Sequence, residues 1–569
     1  MSVPTASEFC NRRPTGDERL RPEIYVVTLV TLIALAAVLG SDLPVEITFA
    51  PHDDSLYAIR AYYLLHGAAF GPYDSHTLSK LPGISFWLAW SRTLGVPYLT
   101  GIALLYAGAG LYMLAALGRA GVGRTLRLIL FALYMLNPVT MGVEWHRVLR
   151  EPLGTDLFVL LLAAMLFVLL AADGRGRARL HVAVLAATFA FALLVREDDV
   201  MLWGLLALFA VAMLRAASTA RATGLAAARG LVLVGVLIPA ASAWIAAHLA
   251  RDFVEAHYGL PILDDMSEGE FPRLLAAIRS VDSGTDNRLV MAPMETLTQL
   301  GSLIPEFAPV VGHLPPVGPN TPSCQLQGVC SEWSNGWMPF WIKDGAAAAG
   351  LTPTLVAGQR YFRRVRKAIE AACARGALKC TDRGSGFIPP FELRWTRALV
   401  HAFGAVLEMT LAPNPNTMSA PPVLYNVSVS LGRIFQAVTM TDHFDTLAQT
   451  SAVDAPAQPG YRNPLAGWRV PLARLYRPLA AALIALGLVA VVLRWTLYPH
   501  VAEAPLFWFG ALFFAFAALR LAALADVSVF LGPFDPRIMF STYTGALLVS
   551  PAAVADLIRA RRASRAPRD

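Results

Sequence analysis

Two aspartates, Asp53 and Asp54, stand side by side just after the first long apolar run, Tyr25–Leu43. Adjacent carboxylates repel, so keeping both ionised calls for a cation close by, a metal, or a proton held by one of them. A carboxylate poised in this way can act as a general base, taking the proton from a hydroxyl as that hydroxyl attacks. His52 adjoins the pair and Arg60 follows it. Cations recur at matching places further along the chain. Lys80 opens the next apolar segment in Lys80-Leu-Pro-Gly83, and Arg147, Arg150 and Glu151 lie in the stretch from Glu144 to Glu151. Arg196-Glu197-Asp198-Asp199 separates two more apolar runs, and Asp535-Pro-Arg537 precedes the last one. Cations gathered at one membrane face are best satisfied by an anion held there, such as a lipid phosphate. Pairing with Glu151, Glu197, Asp198 and Asp535 is the plainer alternative for each cation taken singly.

The elements that must position these residues are apolar helices. Of 569 residues, 56% are hydrophobic and only 15% are charged, against about 25% charged in soluble globular chains. Mean hydropathy is +0.51. Disorder, collagen, coiled coil and an ordinary cytosolic enzyme are thereby excluded. Apolar runs of about 15–25 residues match a hydrocarbon core of about 30 Å, which predicts an all-α polytopic membrane protein with about 10–12 transmembrane helices. After Tyr25–Leu43, spans are expected near Leu128–Val143, Asp156–Ala171, Val182–Leu194, Val200–Leu214 and Leu231–Leu249, then near Leu479–Leu493, Leu506–Leu524 and Ile538–Ile558. The segment Ile84–Leu117 is broken at Leu94-Gly95-Val96-Pro97 and reads as one full span plus a shorter apolar piece. Basic stretches at Arg119–Arg127, Arg175–Arg179, Arg215–Arg229 and Arg559–Arg568 belong inside by the positive-inside rule, which puts the Asp53, Lys80, Arg147, Arg196 and Arg537 clusters outside. This placement accounts for the net charge of +7, so nucleic acid is not an expected partner. The polar, arginine-containing start reads as a tail rather than a cleavable signal peptide.

The expected organisation is a cytoplasmic tail (1–23), a transmembrane module (24–250) with its first outer loop at about 45–83, an insertion domain (251–474), further transmembrane helices (475–558) and a basic tail (559–569). The insertion is too polar for a membrane and is divided by proline-rich stretches at Pro305–Pro322 and Pro413–Pro422. Within it Tyr361–Cys373 has the apolar spacing of an amphipathic helix stopped near Gly376. Asp264-Asp265 reads as solvated surface. Cys324, Cys330, Cys373 and Cys380 all fall in the insertion, whereas Cys10 lies in the inside tail. An even set on the outer side suggests disulfides formed in an oxidising compartment. Three pairings are open, with Cys324–Cys330 and Cys373–Cys380 preferred.

The string Asp53-Asp54-Ser-Leu-Tyr57-Ala-Ile-Arg60, followed by Gly67, Gly71-Pro-Tyr73-Asp74 and Lys80-Leu-Pro82-Gly83, resembles the first-loop region of GT-C type integral membrane glycosyltransferases. The arabinofuranosyltransferase and mannosyltransferase-like branches are the most similar. Asp535-Pro-Arg537 is also similar to a late arginine motif of such enzymes. The resemblance implies transfer of a sugar from a polyprenyl-phosphate carrier on the outer side of the membrane. It implies that the base is Asp53 or Asp54, and that Lys80, Arg147, Arg150, Arg196 and Arg537 hold the carrier phosphate. His52, Arg60, Glu151, Glu197, Asp198 and Asp535 would support them. The likeness covers roughly residues 50–200 and 530–560. It does not extend to the insertion, and three apolar runs follow that insertion where many relatives end in a soluble domain.

The expectation is therefore an inverting glycosyltransferase of a bacterial inner membrane, its insertion in the periplasm, and its acceptor a glycan, lipid or protein of the cell envelope. The rival is a transporter or lipid flippase for an anionic or lipid-linked substrate, which would place its charges near mid-membrane. No nucleotide-binding glycine motif or zinc-protease motif occurs. The one cofactor that adjacent aspartates suggest is a divalent metal, Mg²⁺ or Mn²⁺, whose further ligands the sequence does not assign. Trp333, Trp337 and Trp341 recur every four residues and read either as a sugar platform or as one buried helix face.

Overall fold

In a computed structural model the chain is helical, and no strand occurs among the described residues. These are residues 21–41, 43, 45–46, 50–172, 178–196, 199–219, 225–284, 287–381, 392–411, 428–441, 463–498, 505–532 and 536–565. Glu197, Asp198 and Asp535 of the expected site lie outside them, as does Cys10.

The transmembrane part is built around one helix. Residues Arg150–Ala172 (here α6) read REPLGTDLFVLLLAAMLFVLLAA, apolar on every side below the first turns. A helix without a polar face must be surrounded, and 83% of its apolar window is buried. Around it pack Tyr98–Arg119 (α4), Arg179–Val195 (α7), Asp199–Thr219 (α8), Pro505–Leu531 (α17) and Phe540–Ser564 (α18). Pro22–Gly40 (α1) is equally apolar but lies at the periphery, with 6% buried, and presents Ile24, Val26, Val27 and Val30 outward. Close approach between Arg469–Leu497 (α16) and α18 requires Gly487, where a Cβ would stand 2.4 Å from Cβ of Ser550. Among the described residues, seven helices are long and apolar enough to cross a membrane, and Arg179–Val195 and Met201–Arg215 are shorter apolar helices.

Of two stretches with unusual hydropathy, one follows the expectation and one departs from it. The 84–117 region is a short helix, Gly83–Thr93 (α3), a break with Gly95 at φ +71°, and the full span α4. The expected span over Leu128–Val143 is instead Arg124–Met135 (α5), 12 residues long, which reaches only about 18 Å at 1.5 Å per residue. Asn137-Pro138 stops it, since proline lacks the N–H to continue an α-helix. The chain then climbs through a 3₁₀ turn, Pro138–Met141, to Arg147.

The two ends of the bundle are distinct. At one, Arg559 donates to the carbonyls of Ala120 and Gly121, and Arg127 stands over the Tyr25 ring at 5.2 Å. At the other, the Tyr98 hydroxyl donates to the Arg147 carbonyl at 3.1 Å. The insertion rises from this second end. Its core joins Phe271–Ser280 (α10), Met294–Leu303 (α11), Met338–Ala348 (α12) and Leu355–Ala374 (α13) through Phe271, Ile278, Leu297, Phe307, Ile342 and Phe362. The amphipathic helix expected at Tyr361–Cys373 is α13, closed beyond its end by Gly376 at φ +72°. Disulfides join Cys324 to Cys330 and Cys373 to Cys380. Thr396–Leu411 (α14) leaves this core and packs along the apolar helix α17.

Asp265 departs from the solvated surface expected of it. It is fully buried, accepting from Lys343 Nζ at 2.5 Å and from the Tyr73 hydroxyl at 3.3 Å. The pair lies within the insertion, and the Tyr73 hydroxyl together with Asp265 N, which donates to the Leu78 carbonyl at 2.8 Å, ties it to the first loop.

Candidate functional site

Asp53 occupies the N-cap position of Asp54–Leu65 (α2), but its carboxylate does not cap the helix. It turns to Arg537, whose Nη2 stands 3.4 Å from Oδ2. Asp54, on the first turn, is completely buried and meets Arg147 in a two-pronged contact, Nε to Oδ1 at 3.1 Å and Nη2 to Oδ2 at 2.7 Å. Arg147 reaches it because the chain at Glu46 pairs alongside 146–147, Glu46 N donating to the His146 carbonyl at 3.0 Å.

A third carboxylate closes the arrangement. Glu144 Oε2 takes Nη1 of Arg147 at 3.0 Å and Nη1 of Arg537 at 3.3 Å. Glu151, in the first turn of α6, lies 3.6 Å from Arg150 and 3.9 Å from Arg537 through the same oxygen, Oε1. Its other oxygen, Oε2, is buried with no hydrogen-bond partner among the described residues. Arg537 thus touches Asp53, Glu144 and Glu151, which come from two distant parts of the chain. Arg196 folds over Gly154 of α6, where a Cβ would meet its Cδ at 2.9 Å.

The two aspartates are driven apart electrostatically. Burial would raise the Asp53 carboxyl, but Arg537, Lys80 and Arg150 outweigh it and hold it at about 2. Burial of Asp54 prevails over the attraction of Arg147, with the Asp53 charge adding to it, and raises Asp54 to about 6. One carboxylate stays an anion at any physiological pH, while its neighbour has the greater proton affinity. His52 is lowered to about 4, chiefly by burial, with Lys80 and His76 adding, so its imidazole is neutral.

Asp53, Asp54, Lys80, Arg147, Arg150, Glu151 and Arg537 of the expected set therefore share one neighbourhood, with Arg196 alongside α6. Arg60 does not join them. Its guanidinium, 1% exposed, donates to the carbonyls of Thr77 and Lys80 and fixes the loop behind the site. His146 bonds the Thr140 carbonyl through Nε2 at 3.2 Å.

Three residues not put forward from sequence belong here. Glu144 was visible only as part of a charged stretch. Arg520 and Asp156 carried a clearer signal, an ionisable group inside an apolar run. Arg520, 3% exposed, donates to Thr542 Oγ1 at 3.3 Å and to the Ile538 carbonyl at 2.9 Å, just below Arg537. With Arg196 it lines a narrow cavity of about 20 Å³, whose other walls include Phe158, Leu161, Leu202 and Phe516 and which has room for about one water molecule. Asp156 is fully buried with neither oxygen partnered among the described residues, about 9 Å along α6 from Arg150.

The donor set does not suit a divalent metal. Asp53, Asp54 and Glu144 are each engaged by a guanidinium, and no group of three or more His, Cys, Asp or Glu gathers as ligands among the described residues. The positive charge at this centre is supplied by arginine.

No family model and no curated protein matches the chain. Two solved structures align with it, both of ArnT from Cupriavidus metallidurans. The apo state is 14% identical over 94% of this chain and 78% of that one, with a TM-score of 0.28. The state bound to undecaprenyl phosphate is 15% identical over 94% and 79%, also at 0.28. A likeness that loose transfers no residue roles.

Proposed function

We propose that the protein is a membrane glycosyltransferase that takes a sugar from a polyprenyl-phosphate donor and passes it to a hydroxyl of a cell-envelope acceptor on the outer, periplasmic side. The observation that carries this reading is the sharing of Arg147 and Arg537 among Asp53, Asp54, Glu144 and Glu151 at one end of the spans. Guanidinium groups already surrounded by several carboxylates can transfer to a phosphate without being left unpaired. The GT-C resemblance of residues 53–83 points to the same chemistry.

The step is a single displacement. The acceptor oxygen attacks the anomeric carbon and gives its proton to Asp54, while the bond from that carbon to the carrier phosphate breaks and its electron pair leaves with the phosphate. Configuration inverts. Arg147 engages Asp54 before the donor arrives. When the donor phosphate draws Arg147 away, the buried carboxylate left behind gains proton affinity. Arg537 and Arg150 neutralise the charge growing on the departing phosphate, the role expected to matter most in such sites. Asp53, kept ionised, holds Arg537 in place.

A path for transport would distribute ionisable groups towards mid-membrane. Asp156 and Arg520 instead lie within a few turns of Arg150 and Arg537 and read as the lower wall of the same site. The test is release of free polyprenyl phosphate from synthetic polyprenyl-phosphate mannose and arabinofuranose, by the full chain in proteoliposomes supplied with a cell-envelope extract. Wild type is expected to turn over one donor and Asp54→Asn neither. Undiminished turnover in both Asp54→Asn and Asp53→Asn refutes the assignment of the base.

A further inference from the structure

The three tryptophans that recur along the insertion do not share an environment. Trp333 is 2% exposed, donates Nε1 to the Pro315 carbonyl at 3.2 Å and packs on Trp341 with ring centres 5.0 Å apart. Those two belong to the domain core. Trp337, partly buried at the edge of that core, also meets the His52 ring edge-on at 5.2 Å. His52 also lies against Phe340 at 4.7 Å, and Phe340 stacks on His76 at 6.3 Å. Two of these rings come from the first loop and two from the start of α12, and all four remain partly exposed.

Polar groups border the rings. Asp344 Oδ1 accepts from Ser75 Oγ at 2.6 Å and meets His76 Nε2 at 3.0 Å, while 32% of its side chain stays exposed. Burial opposes ionisation of Asp344, but the bonds from His76 and Ser75 and the charge of Lys343 prevail and keep it an anion. His76 Nδ1 has no hydrogen-bond partner among the described residues.

Aromatic faces beside a neutral imidazole and a carboxylate recognise one kind of ligand well. The C–H face of a sugar ring packs on the π surfaces, and its hydroxyls donate to the carboxylate and exchange bonds with the imidazole. An anionic ligand would meet Asp344 unfavourably. The placement also separates two substrates. The cations stand at the ends of membrane-spanning helices, where a lipid carrier arrives, whereas Trp337, Phe340 and Asp344 come from the insertion. His52 directly precedes Asp53, so a ring held here borders the catalytic carboxylates from the insertion side.

We propose that Trp337, Phe340, His52 and Asp344 form a subsite that holds a sugar ring of the acceptor against Asp53 and Asp54. The acceptor is thereby a glycan or glycolipid. This rests on the glycosyltransferase reading above.

The test is saturation-transfer difference NMR on the full chain in nanodiscs, with methyl α-D-mannopyranoside and methyl α-D-arabinofuranoside as probes. Ring C–H signals are expected for at least one glycoside. They should fall at least fivefold in Trp337→Ala and Phe340→Ala, recover by half or more in Trp337→Phe, and persist in Asp54→Asn. Thermal unfolding matched to wild type verifies that each variant is folded, and Trp337→Phe retains the packing if alanine does not. No signal for either glycoside, or equal signals in both alanine variants, overturns the subsite. Glycoside binding without donor turnover by the wild-type chain refutes the transferase reading alone. Lost turnover in Asp54→Asn without glycoside binding refutes the subsite alone.

Discussion

Two buried charge clusters lie on either side of the first loop, and they are built on opposite plans. Lys343 and Asp265 form a single pair, 2% and 0% exposed at the side chain, with the Tyr73 hydroxyl on the second oxygen. Every strong group there has one partner. Around Arg147 and Arg537 the contacts run from 2.7 to 3.9 Å, the guanidinium groups remain 15% and 17% exposed, and each carboxylate shares its cation. A dry one-to-one pair serves to position a domain. A shared, partly wet network can exchange a partner for a ligand, because each guanidinium holds more than one carboxylate and losing one contact leaves it another.

Breaking one plan should cost activity and breaking the other should cost stability. The largest effect is expected from Asp54→Asn, with donor turnover falling about 10²–10⁴-fold. Its unfolding temperature at neutral pH should not fall, because a carboxyl whose ionisation folding opposes is removed. Lys343→Ala should lower unfolding stability by about 3–5 kcal/mol by stranding Asp265, measured by denaturation in detergent. The double change Lys343→Met, Asp265→Leu should recover most of that loss, since apolar replacements of a buried pair are often neutral. No paired apolar replacement of Arg147 and Asp54 should recover turnover. Arg537→Lys should lower turnover about 10–100-fold, as an ammonium cannot span three carboxylates the way a planar fork does.

The smallest and sharpest test is pH. Asp54 is raised to about 6 and the base must be unprotonated, so kcat/KM for the donor should fall tenfold per pH unit below about 6. The same shift has a thermodynamic counterpart. Stability contributed by the protonated Asp54 is complete below about pH 4 and is lost as pH rises through about 6. Asp53, held at about 2, contributes the reverse, present above about pH 4 and lost as pH falls to about 2. Activity without an acid limb near 6 would remove Asp54 from the proton transfer.

Much of the site was legible because its residues break the pattern around them. Carboxylates and arginines at the edges of apolar runs are costly enough to need a reason, and that reasoning found Asp53, Asp54, Lys80, Arg147, Arg150 and Arg537. It placed Arg60 among the supporting groups, but sequence proximity to Asp54 does not reveal that α2 points the guanidinium at the Thr77 and Lys80 carbonyls behind the cluster. It missed Glu144, whose role depends on Arg537 arriving from almost four hundred residues away. Hydropathy found the long helices but misread Leu128–Val143, where Asn137-Pro138 overrides an apolar run. The tryptophan spacing was correctly seen as ambiguous: α12 begins at Met338, so Trp333 and Trp337 precede the helix and four-residue periodicity has no meaning there.

The helix that carries Arg150 and Glu151 is walled in on every side, and this sets where the molecule can yield. Opening α6 to solvent or lipid would expose the residues that its neighbouring helices bury, so its amides should be among the last to exchange with deuterium. The proposed reaction, which has to admit a lipid and a glycan and then release both, would therefore turn about a stationary axle. Whatever swings during turnover should be found in the first loop and α12, on the side away from that axle.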